Sequence, residues 1–226
     1  MPASLIPVLV PLVLVGALAW LAYIDLKDRA KPEPRLRLAQ AFCLGLGAAV
    51  AALGIFELAA WLGMPAVDGA DLHTTAWICF GVIGPVEEGV KVAALVLVVF
   101  RWEEFDEPID GFVYAGAIAL GFATLENLIH LPAVPGWPER FAFALILPLT
   151  HTLFASVWGF GLGAARLIDS SWRGWTLGCL SVVLAMALHG LYDFVLFESE
   201  ARWASAAIAA VLWVFLIVHA RKMAKR

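Results

Sequence analysis

Apolar runs of membrane-crossing length dominate this sequence, and they leave few folds open to it. A helical span needs about 20 mostly apolar residues. Seven segments qualify: roughly 5–26, 38–62, 75–100, 110–131, 140–165, 174–197 and 203–220. Polar or turn-forming stretches separate them, among them KDRAKPEPRLR, GMPAVDGADLH, RWEEFDEP and RLIDSSWR. In hydrocarbon the backbone amides must be satisfied internally. The expected fold class is therefore all-α, a polytopic membrane helix bundle of about seven transmembrane helices in one domain, 1–226. Hydrophobic residues make up 62% of the 226, against about 45–50% in a soluble domain, and the connections are too short to form a second domain. The first run has no basic n-region and is too long for a signal-peptide core, so it reads as a retained helix.

Basic residues orient such a bundle, because Lys and Arg collect on the cytoplasmic side. With the C-terminus inside, the inner segments hold Lys27, Arg29, Lys31, Arg35, Arg37, Arg101, Arg166, Arg173, Arg221, Lys222, Lys225 and Arg226, twelve of the fifteen. The expected topology is N-terminus outside and C-terminus cytoplasmic. A net charge of −4 selects no partner, and no nucleic-acid partner is expected; the lipid bilayer is the environment. Cys43, Cys79 and Cys179 lie in apolar runs without CxxC spacing and read as buried thiols.

The third run contains GPVEEGVK, two glutamates and a lysine near the middle of a span. A charge in hydrocarbon costs several kcal/mol, so something must compensate it. Most of the remaining intramembrane polarity sits on the next three spans: Glu126 and Asn127, then His151, then His189 and Asp193. Helical spacing groups these residues, since Glu87 and Lys91 are four apart, as are His189 and Asp193. At a rise of about 1.5 Å per residue they lie roughly 8–18 Å from the outer ends of their spans, in the outer half to the middle of the bilayer. Glu87, Glu88, Glu126 and Asp193 together oppose only Lys91. Either some carboxyls hold protons or a divalent cation sits among them. Each feature also has a structural reading: a Glu87–Lys91 ion pair, helix-to-helix hydrogen bonding by Glu126 and Asn127, a packing role for His151. One shared site on four consecutive spans accounts for them more economically, and segment 75–197 is its expected core, with 1–62 and 203–226 peripheral. The glycines of GAIALGF and GFGLG read as close helix packing, and part of the tryptophan complement as interfacial residues.

These residues resemble a known family. EEGVK is similar to the EExxK motif of the PrsW-type intramembrane proteases. DGFVYAGAIALGFATLEN resembles that family's second motif, with Asp110, Gly111, Tyr114, Gly121, Phe122, Glu126 and Asn127 in matching places. Arg140 with His151, and the final HGLYD, complete the order over residues 84–194. That family is related to the CAAX prenyl endopeptidases and bacterial Abi membrane proteins, which show EExxxR, FxxxH and HxxxN. Here Lys91, Glu126 and Asp193 depart from that pattern; the first two departures favour the PrsW branch and argue against prenyl-protein processing. An ionised Asp193 would also repel the oxyanion that an asparagine there would stabilise.

The resemblance implies peptide-bond hydrolysis, with a membrane-anchored protein or peptide as substrate and a bacterial cytoplasmic membrane as location. An anti-sigma factor cleaved on the outer side is the family's substrate. The expected roles are Glu87 as general base with Glu88 in support, and His189 and His151 as metal ligands or as groups that polarise the carbonyl. Glu126 is expected as a further metal ligand or second acid. Lys91 is expected to balance charge, Asn127 to bond substrate or a neighbouring helix, and Asp193 to orient His189. The expected cofactor is a divalent metal, with zinc as the candidate; a metal-free, glutamate-driven reaction is the variant. Two other classes stand beside this one: a proton- or cation-coupled transporter, for which no inverted repeat is seen, and a non-catalytic scaffold.

Overall fold

The computed structural model describes residues 6–27, 31–67, 69–198, 211 and 214. Among these the chain is helical and contains no strand. The long helices are α1 (Ile6–Lys27), α2 (Arg35–Trp61), α5 (Asp110–His130), α6 (Trp137–Leu167) and α7 (Trp172–Phe197). All five are long and apolar enough to cross a membrane, and their bounds fall within about three residues of the expected segments. Of the seventh segment, 203–220, only residues 211 and 214 are described, both helical.

The third segment departs from a plain span. It runs as α3 (Leu72–Ile78), a π-helical turn over Cys79–Ile83, and α4 (Gly84–Leu97). Asp71 starts the rod by accepting from the amides of His73 and Thr74 at 2.9 and 3.0 Å. Those bonds hold its carboxyl below the usual range. Cys79, Ile83 and Gly84 all keep right-handed helical angles, so the axis continues through the wide turn. A 3₁₀ turn at Val99–Arg101 ends it.

Helix α5 is the centre of the bundle. Every residue of Val113–Thr124 is buried, with α2 on one flank and α6 on the other. Small residues set the spacing, as GAIALGF suggests: a Cβ on Gly121 would lie 1.9 Å from the Phe42 carbonyl oxygen of α2. Tryptophans Trp61 and Trp137 are exposed at one end and Trp172 at the other, where amphipathic rings meet headgroups. Cys79 is buried, but Cys43 and Cys179 lie on the outside of the bundle. Apolar sequence marks them for the hydrocarbon, not for the protein interior.

Polar contacts tie down the end that carries the 31–34 and 98–109 connections. Lys31 pairs with Asp106, and Tyr114 donates to Glu33. Arg37 Nε donates to Glu104 Oε1 at 2.8 Å, and that bond holds the Glu104 carboxyl below its ordinary value. Asp110 accepts from the amides of Asp106 and Glu107 at 2.9 and 2.7 Å.

Candidate active site

The rod brings Glu87, Glu88 and Lys91 to one buried face of α4. A close crossing puts that face against α7. A Cβ on Gly84 would lie 2.4 Å from the Met186 carbonyl oxygen, and one on Gly190 2.7 Å from the Cys79 carbonyl oxygen. The π turn and its two glycine contacts therefore bring the backbones of α4 and α7 close beside His189, at a bulge of the kind found at functional sites.

Glu88 is fully buried and fully used. Its Oε1 accepts from Lys91 Nζ at 2.9 Å and from His189 Nδ1 at 2.8 Å. Its Oε2 accepts from Trp158 Nε1 at 2.7 Å. The His189 proton is thereby placed on Nδ1, and Nε2 is left to face Glu87 Oε2 at 3.7 Å and Asp193 Oδ2 at 3.4 Å. Phe154 stacks on the same imidazole, with ring centroids 4.8 Å apart and planes at 16°.

Lys91 is enclosed. Besides Glu88 it donates to His151 Nδ1 at 2.8 Å, stands 3.7 Å from Glu87 Oε2 and lies 3.9 Å from the centre of the Phe122 ring. An ammonium only donates, so His151 Nδ1 accepts and the ring proton of a neutral imidazole falls on Nε2. That atom stands 2.8 Å from Glu126 Oε2. The two histidine rings meet edge to face at 5.1 Å.

All the expected site residues except Asn127 thus fall within one connected cluster. Asn127 is buried, but its Nδ2 makes a long 3.5 Å contact to the Ala144 carbonyl. Pro148 explains this, because a proline has no N–H for the carbonyl four residues earlier, and that carbonyl belongs to Ala144. The next carbonyl, Leu145, accepts from Trp20 Nε1 at 2.9 Å. Asn127 therefore bonds a neighbouring helix, one of the two roles expected of it. Arg140 stays away from the cluster and donates to the Val134 carbonyl at 2.9 Å.

Among the buried polar atoms without a hydrogen bond, Glu87 Oε2 and Glu126 Oε2 belong to this cluster, and Glu87 Oε2 is the one that stands beside His189 and Lys91. Donor atoms of Glu87, His151 and His189 all lie within 4.8 Å of one another. Two imidazoles and a carboxylate are a donor set that suits zinc, and a carboxylate behind the imidazole, as Glu88 is behind His189, is the usual support of a histidine ligand. The residues fit a divalent cation. The sequence reading groups Glu126 with the two histidines; the structure sets Glu87 beside both of them, and Glu126 against His151.

Phe154 and Trp158 are absent from the sequence reading. They lie three and seven residues after His151, on the same face of α6. That periodicity places them on the His151 face but does not set them apart from ordinary core aromatics.

The family described as PrsW family intramembrane metalloprotease matches residues 33–220 of the chain. The chain is 34% identical to Protease PrsW of Geobacillus kaustophilus (strain HTA426) over 185 residues, 82% of this chain and 77% of that protein. It is 33% identical to Protease PrsW of Bacillus subtilis (strain 168) over 208 residues, 91% of this chain and 90% of that protein. For Protease PrsW of Clostridioides difficile (strain 630) the identity is 27% over 214 residues, 91% and 85% of the two chains. No solved structure matches.

Proposed function

The chain belongs to the PrsW family of intramembrane metalloproteases, and from that premise we propose that it cuts membrane-anchored proteins with Glu87 as the base that activates water. The observation that carries this reading is the unpartnered, buried Oε2 of Glu87, 3.7 Å from His189 Nε2 and 3.7 Å from Lys91 Nζ. A carboxylate placed so accepts a proton from a water between itself and the scissile carbonyl. Lys91 balances the charge of the two glutamates. Glu88 holds His189 by Nδ1, so that Nε2 faces the reacting atoms. Glu87, protonated by that water, passes the proton to the leaving amine, and His151 is held between Lys91 and Glu126. A divalent cation such as zinc would be held by Glu87, His151 and His189, and would supply Lewis acidity toward the carbonyl oxygen. Glu126 and Asp193 complete the polar wall beside them.

The substrate class is a membrane protein that presents an extended segment to the outer half of the bilayer, with the N-terminus of the protease outside and its C-terminus in the cytoplasm of a bacterial cell. Regulated proteolysis of an anti-sigma factor is the setting we propose. Segment 75–197 carries the catalytic groups.

The test compares new protein termini in cells that carry the wild type with those in cells that carry Glu87→Gln at equal abundance. Termini near the outer face of single-span proteins are expected with the wild type alone, and the purified wild type is expected to make the same cuts. Equal cutting by Glu87→Gln would remove that residue from the mechanism.

A further inference from the structure

Glu88 has two oxygens, and the three donors around it divide unequally. Lys91 and His189 share Oε1, while Oε2 has the Trp158 indole alone, at 2.7 Å. Trp158 is completely buried and is the largest fully buried side chain described. Its ring packs in the hydrophobic core with Ala155 and Leu162, so its N–H cannot turn elsewhere. A tryptophan has one donor and no acceptor; this bond therefore fixes which way the Glu88 carboxylate faces. Were Glu88 free to rotate, neither oxygen would be held at His189 Nδ1, and the ring would lose the contact that assigns its proton.

Resting on the protease reading, we propose that Trp158 is a positioning residue of the hydrolytic site: its indole N–H orients Glu88, and through Glu88 it holds His189 with Nε2 toward the substrate. It touches neither substrate nor water. Its effect passes through two buried hydrogen bonds.

A plain core tryptophan would also be missed when removed, so the test must separate the N–H from the ring. The full chain is prepared in lipid with Trp158→Phe and, separately, with 3-benzothienylalanine at position 158, where sulfur replaces the N–H and the ring keeps its shape. The same analogue at Trp175 is the control. Two quantities are read: kcat and KM on a substrate found by the comparison of termini, and the 15N signals of His189, assigned by their loss in His189→Gln. With either change at 158, kcat is expected to fall about 10- to 100-fold, with KM within about twofold. The His189 signals are expected to leave the single Nδ1–H tautomer. Trp158→Phe added to Glu88→Gln is expected to cost nothing further. Unchanged kcat with the sulfur analogue, or an unchanged His189 tautomer, would overturn the proposal. If the wild type cuts nothing, the protease reading fails by itself, and the 15N signals alone decide whether Trp158 orients His189.

Discussion

At the scale of the residue, one lysine holds this site together. Lys91 Nζ meets Glu88, His151, Glu87 and the Phe122 ring in a space closed to solvent. Removing one member of a buried charged group leaves the others uncompensated, at a cost of about 3–5 kcal/mol. Lys91→Met is therefore expected to lower unfolding stability in detergent by about that amount, and to abolish turnover. The loss should shrink when Glu88→Gln is added, because a neutral amide no longer needs the ammonium. Strictly additive losses would mean that the two residues do not share a charge. These polar groups were legible from sequence alone, because an ionisable residue in an apolar run demands a partner and few partners were on offer. Trp158 and Phe154 were not, since an aromatic residue within an apolar run is what any membrane core contains. Only the fold shows that one indole N–H points at a carboxylate.

At the scale of the element, the helices followed from length and hydropathy, and the interruptions did not. The five regular spans needed only apolar runs bounded by turn residues. The third needed Gly84 and Gly190 to meet across two helices, a contact between residues far apart in sequence that no local pattern contains. Helix α6 carries a second interruption of use. Pro148 withholds the amide that Ala144 would have received, and Asn127 from α5 stands in for it at 3.5 Å. Leaving a buried carbonyl unbonded costs about 1–3 kcal/mol, so Asn127→Leu should lose stability in that range. Pro148→Ala returns the amide to the helix, and the double variant should recover part of the loss. Thermal or denaturant unfolding of the four proteins measures the coupling. If Pro148→Ala recovers nothing, Asn127 has some duty other than that carbonyl.

At the scale of the whole molecule, the question is which side of the membrane the site serves. The exposure of the cluster has a direction. Glu88 and Lys91 are sealed, whereas the Glu126 and Asp193 side chains are 21% and 14% exposed. Each of those two lies about one helical turn from the end of its helix, His130 for α5 and Phe197 for α7. Both ends belong to the face that also carries the 62–71 connection, so under the proposed protease function a substrate would reach the cluster from that face. The basic residues argue that this face is the outer one, because Lys31, Arg35, Arg37, Arg101, Arg166 and Arg173 gather at the opposite end. Membrane insertion places such residues in the cytoplasm. Single cysteines test this in a chain whose Cys43, Cys79 and Cys179 are replaced by alanine. Ala66→Cys, in the 62–71 connection, should react in intact cells with a maleimide that cannot cross the membrane. Glu103→Cys, in the 98–109 connection, should react only after the cells are opened. The reverse pattern would turn the mouth of the site toward the cytoplasm, and substrates would then have to be sought among proteins cut on their inner side.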